Sequence, residues 1–141
     1  MPYSKTLLIA LTTGLGTVPA VDAADFKVIA NPSFAASSVS PDDLKGVFLA
    51  TKTSLGNGGH VEPVLEKGGA AHEAFLKEYV GKTDAALQTY YRSLVFTGKA
   101  SMPKTVADDA DAVAYIAKTK GAIGYVGADA STDGVKTLEV K

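Results

Sequence analysis

Apolar positions in this chain switch between alternating and three-and-four spacing, the mark of strands interleaved with helices. Residues 26–30 (FKVIA) read as a first strand, broken by Asn31-Pro32-Ser33. A polar loop follows through Ser38. Ser40 is a good N-cap, with Pro41 at the first helical position and Asp43 three residues beyond the cap. That helix turns Leu44, Val47 and Phe48 inward. Residues 51–60, holding three glycines and Asn57, read as a turn-rich loop. Residues 61–65 form a second strand, in which Pro63 suits an edge or a bulge.

Gly68-Gly69 opens a second helix with Ala71, Phe75 and Tyr79 as its seam and Gly81 as its stop. Thr83 caps a third, whose Leu87, Tyr90, Tyr91, Leu94 and Val95 repeat at helical spacing. Residues 97–104 read as a loop. Residues 105–126 then give a helix, a glycine turn and a buried strand in quick succession. Asp108 and Asp109 favour the positive end of that helix, and Lys118 and Lys120 the negative end. Ala110, Val113, Ala114 and Ala117 predict its apolar stripe, and Gly121 a left-handed stop. Residues 122–126 run apolar, as a strand covered on both faces should. Residues 134–140 alternate as a final strand. The pattern predicts one α/β domain with a mixed sheet flanked by helices.

Residues 1–23 carry the marks of a cleavable signal peptide: Lys5, an apolar run over 7–18, and Val21-Asp22-Ala23 at the cleavage point. The run falls short of the ~20 residues that span a bilayer. The mature domain is therefore expected over residues 24–141, periplasmic or secreted, with no membrane insertion after cleavage. The chain has no cysteine, so no disulfide and no lipid-anchoring thiol is available. Its net charge is −1, and loss of Lys5 and Asp22 together leaves that unchanged. No basic excess attracts nucleic acid, so an anion would have to be held by a local site.

Four blocks in order, VSPDDLKGVFLATKTSL, VEPVLEKGGAAHEAFLKEYVG, YYRSLVFTGK and AVAYIAKTKGAIGYV, resemble the phosphate-type substrate-binding proteins of ABC transporters, most closely the short, single-domain ones. The resemblance implies a periplasmic-binding-protein-like fold, inorganic phosphate or a similar oxyanion as ligand, and an ABC transporter permease or a sensor protein as partner. Full-length relatives close two lobes on their anion, and this chain has residues for about one. Their ligand loop is rich in hydroxyls with an arginine near it. Here residues 66–72 read EKGGAAH, without a hydroxyl.

The best candidate anion site is Lys67, Gly68, Gly69, Ala70 and Ala71, where free N–H groups open a helix and glycine lets a ligand approach the backbone. A flexible entry turn is the alternative. Ser33 and Ser38, after the first strand, are candidate hydroxyl donors, or else parts of a solvated loop. Thr97-Gly98-Lys99 lacks the spacing of a phosphate-binding P-loop. His60, His72, Glu62, Glu66 and Glu73 include no metal-binding pair at helical spacing, so no metal and no cofactor are expected. No serine sits in a nucleophile elbow, which predicts a non-enzyme. A single-lobe interaction or sensor module that has lost tight ligand binding is the alternative function, and a homodimer rebuilding a two-lobed cleft is a variant of it.

Overall fold

The computed structural model describes residues 26–55 and 59–141; the signal-peptide expectation over 1–23 lies outside the described residues. The strands are β1 (Phe26–Ala30), β2 (Ser38–Val39), β3 (Ser54–Leu55), β4 (Gly59–His60), β5 (Glu62–Glu66), β6 (Lys104–Val106), β7 (Ala122–Gly127) and β8 (Lys136–Val140). Six of them form one mixed sheet in the order β2-β8-β1-β7-β5-β6, and β3 pairs with β4 alone. The helices are α1 (Pro41–Phe48), α2 (Ala70–Phe75), α3 (Asp84–Phe96) and α4 (Asp109–Lys118). A π-helical stretch, Leu76–Val80, continues α2 without a break.

Strand alternation divides the core between the two faces of this sheet. Phe26, Val28, Ala30, Ile123 and Tyr125 face α1, the α2 segment and α3, where Phe48, Phe75, Leu76, Leu87 and Tyr91 are buried. Ile29, Ala122 and Val126 face α4 and meet Ala112 and Ile116. β7 is buried on both sides, as its unbroken apolar run predicts. The result is the expected α/β domain, a mixed sheet with helices on both faces.

The helix caps are those of the sequence. Ser40 Oγ accepts from Asp43 N at 3.1 Å, Thr83 Oγ1 from Ala86 N at 3.2 Å and Asp108 Oδ1 from Asp111 N at 2.9 Å. Gly121 adopts a left-handed φ of 83°, and a Cβ there would lie 2.3 Å from the His60 carbonyl oxygen. Only glycine fits.

Four local expectations need correction. Ala110 and Ala114 are exposed; the buried face of α4 runs through Ala112 and Ile116, with Val113 beside them. Alanines do not tell one face from another, and Ile116 alone supplies enough apolar surface to set it. Val95 is exposed on α3, whose buried residues are Leu87 and Tyr91. Pro63 sits in an interior strand: it pairs with Ile123 of β7, and β6 joins only from Val64 onward. Its missing N–H thus falls where one side of the strand is still uncovered. Finally, Lys104–Val106 is a strand rather than a loop and a helix start, completing the parallel set β7-β5-β6.

Candidate functional site

β5 runs parallel to both β6 and β7, so Glu66, Val106 and Gly127 end at the same edge of the sheet. In open α/β sheets the crevice outside the carboxyl ends of parallel strands is where ligands bind. The three loops that leave these strands enclose an open cleft of about 1060 Å³, lined by Glu66 to Ala71, Ala107 to Ala110 and Gly127 to Ala130. Lys67, Gly68, Gly69, Ala70 and Ala71 all lie on it. Both α2 and α4 start there.

The two helix starts differ. Asp108 caps α4 with its own side chain, and Asp109 Oδ2 accepts from Gly127 N at 3.1 Å. Their carboxylates therefore already occupy the positive end of α4. Gly69, the N-cap of α2, offers no side chain and holds a φ of 101° that only glycine adopts without strain. The first N–H groups of α2 have no partner inside the helix. They are the donors left for a ligand.

Glu66 closes β5 on the wall of the cleft. It is 4% exposed, and its Oε1 is buried without a hydrogen-bond partner among the described residues. Burial, then the neighbouring Asp109 carboxylate and Asp108, push its pKa up to about 8. At neutral pH the group is therefore held mainly as the neutral acid. Asp129 also lines the cleft, so among the described residues one cation, Lys67, lines it against four carboxyl groups. A further ammonium, Lys27 Nζ, donates to Ala130 O at 2.9 Å on the rim.

A buried polar chain stands behind this wall. Tyr125 Oη accepts the Glu66 N–H at 3.0 Å and bonds His72 Nδ1, while His72 Nε2 lies 2.7 Å from Asp84 Oδ1. A carboxylate only accepts, so Nε2–H donates to Asp84, and in the neutral ring Nδ1 takes the tyrosine proton. Tyr125 also stacks on Phe75, ring centroids 4.2 Å apart. Burial raises its phenol pKa, which keeps the proton on the ring oxygen. The sequence held one sign of this chain: His72, Leu76 and Val80 lie at i, i+4, i+8 and all are buried. Nothing in it points to the Glu66–Asp109 approach, which joins residues on different strand–helix units.

Ser33 and Ser38 lie elsewhere. β1 is antiparallel to β7, so the carboxyl end of β1 sits at the opposite end of the sheet from Glu66. Both serines line a second pocket of about 590 Å³, with His60, Lys120 and Lys141. Ser33 N and Oγ both donate to Asn31 Oδ1, at 2.9 and 2.7 Å, and Asn31 Nδ2 donates to the Ile116 carbonyl at 2.8 Å. The Ser33 hydroxyl therefore closes a local turn.

No family model matches the sequence, and no curated protein sequence matches it. Solved structures do resemble the fold. One from Clostridium perfringens, described as a phosphate ABC transporter substrate-binding protein with bound phosphate, superposes with a TM-score of 0.63 at 16% identity, covering 82% of this chain and 44% of that one. PstS from Borrelia burgdorferi also gives 0.63, at 11% identity over 83% of this chain and 47% of its own. An ABC-type phosphate transport receptor from Vibrio cholerae gives 0.55 at 12% identity, with 82% and 46% covered. The chain thus has the binding-protein fold and spans less than half the length of these structures.

Proposed function

We propose that this chain is an exported, non-enzymatic solute-binding domain that holds inorganic phosphate or a similar oxyanion at the start of α2, for uptake or sensing. The observation that carries the reading is the uncapped Gly69 helix start, opening onto a cleft at the carboxyl ends of three parallel strands. Backbone N–H groups of Gly68, Gly69, Ala70 and Ala71 would donate, and Lys67 would add a charge. Glu66, protonated at neutral pH, removes one repulsive charge from the wall. Ser33 and Ser38 line a separate pocket. A transporter permease or a sensor protein is the partner that the fold's neighbours suggest.

Phosphate at a hundred times its Kd stabilises a domain by about 2.7 kcal/mol, a shift of several degrees in Tm. We expect such a shift at millimolar phosphate or arsenate; an unchanged Tm with both would remove the reading.

A specific observation favours a second reading, a single-lobe interaction module. Phe96 is 93% exposed at the end of α3, beside Val95 and close in sequence to Met102, both exposed. Light scattering with size-exclusion separates the variants: a concentration-dependent dimer lost in Phe96→Ser supports pairing of two copies, and a strict monomer removes it.

A further inference from the structure

The cleft carries two unlike poles within a short stretch of chain. Gly69 follows Glu66 by three residues, so their Cα atoms lie within about 10 Å of each other. One pole is the uncapped start of a helical segment, six α-helical residues continued by five π-helical ones. The other is Glu66, nine-tenths buried on the cleft wall with Oε1 unpartnered and Asp109 and Asp108 near it. A buried carboxyl oxygen without a partner is costly, which marks it as waiting for a donor. Asp109 Oδ2 is already engaged by the Gly127 N–H. Lys67 follows Glu66 directly, is exposed, and makes no hydrogen bond or ion pair to it among the described residues.

A simple oxyanion satisfies only the first pole. It also meets the charge of Asp108, Asp109 and Asp129 on the same cleft. A bare metal ion suits the second pole poorly, because no three His, Asp or Glu side chains among the described residues come close enough together to hold one. An ammonium group needs no such convergence. It donates to several carboxyl oxygens at ordinary hydrogen-bond distances.

From this juxtaposition we infer that the cleft takes a small zwitterion, a phosphoryl-type oxyanion carrying a primary ammonium, with the oxyanion on the Gly69 helix start and the ammonium on Glu66 and Asp109. The inference rests on the reading of the α2 start as an oxyanion site and adds the second contact. It has a proton signature. Glu66 enters binding mainly neutral at pH 7 and must ionise against the ammonium, so the complex releases a proton to the buffer. The charged groups that set this balance are Asp108 and Asp109 from the α4 start, Asp129 and the rim Lys27 around the β7 end, and Lys67 beside Glu66. His72 and Asp84 reach it through Tyr125.

The test is calorimetry on the mature chain at pH 7 with 2-aminoethylphosphonate, ethylphosphonate and phosphate, each in two buffers of different ionisation enthalpy. We expect 2-aminoethylphosphonate to bind about tenfold more tightly than ethylphosphonate, the value of one charge-assisted hydrogen bond, with proton release for the amine alone. Glu66→Gln, a near-isostere of the neutral acid, should abolish both the preference and the release while ethylphosphonate still binds. Asp109→Asn should reduce the preference and serves as the second variant if Glu66→Gln does not fold. Equal affinities for the two phosphonates with phosphate still binding would overturn this inference alone. A preference that survives both substitutions would also overturn it, and failure of all three ligands would overturn the oxyanion reading with it.

Discussion

The two ends of the sheet look alike in sequence and behave as opposites in the fold. At the carboxyl ends of β5, β6 and β7, polar groups are left over by the fold: an uncapped helix start and a buried acid oxygen without a partner among the described residues, beside a carboxylate-rich rim. At the carboxyl end of β1, polar groups are spent on the fold. Asn31 ties the loop to α4, and Ser33 bonds Asn31. Lys120 and His60 lie at this second end, and Glu66, Asp108, Asp109 and Asp129 at the first. The difference teaches that polar residue type is a poor guide to a site unless strand direction is known.

The largest expected effect comes from cutting the polar chain behind the first end. His72→Ala removes a buried ring and leaves Tyr125 and Asp84 without their partner, at a cost of about 3 kcal/mol in urea unfolding. Ser33→Ala at the second end removes one partly buried hydroxyl and should cost under about 1 kcal/mol. Equal costs would erase the contrast.

A second test uses pH. Glu66 rises in the folded chain from an ordinary 4.5 to about 8. Folding then favours its protonated form, so its contribution to stability is complete below about pH 4.5 and is lost as pH rises through 8. Tm should therefore fall between pH 5 and 8.5 in the native chain. In Glu66→Gln this part of the slope should vanish; a slope that persists unchanged would place the titrating group elsewhere.

The smallest effect is expected from the serines. Ser33→Ala with Ser38→Ala should leave any phosphate-induced rise in Tm unchanged, because both line a pocket separate from the Gly68-Gly69 cleft. A lost rise would join the two ends functionally.

The local structure was largely legible in the sequence. Ser40, Thr83 and the Asp108-Asp109 pair mark helix starts by a mechanism that acts over three residues, and the unbroken apolar run of β7 reflects its burial directly. The face of α4 was not legible, since its alanines carry little apolar area and Ile116 decides the packing. The direction of β1 was not legible either. Nothing local distinguishes a strand that will run antiparallel to β7 from one that will run parallel, and that choice separated Ser33 from the Gly68-Gly69 loop, while Ser38 is separated from it across the sheet, on the edge strand β2. Glu66 read as an ordinary charge beside Lys67, because its burial depends on Asp109 and Tyr125, which come 43 and 59 residues later.

The central claim is that the solute site is the end of the sheet with unspent polar groups. Its most direct test is an amide NMR titration of the protein with inorganic phosphate. The account predicts that the N–H signals of Gly68, Gly69, Ala70 and Ala71 shift progressively and saturate while those of Ser33 and Ser38 stay in place. Saturable shifts at Ser33 and Ser38, with residues 68–71 unmoved, would contradict it.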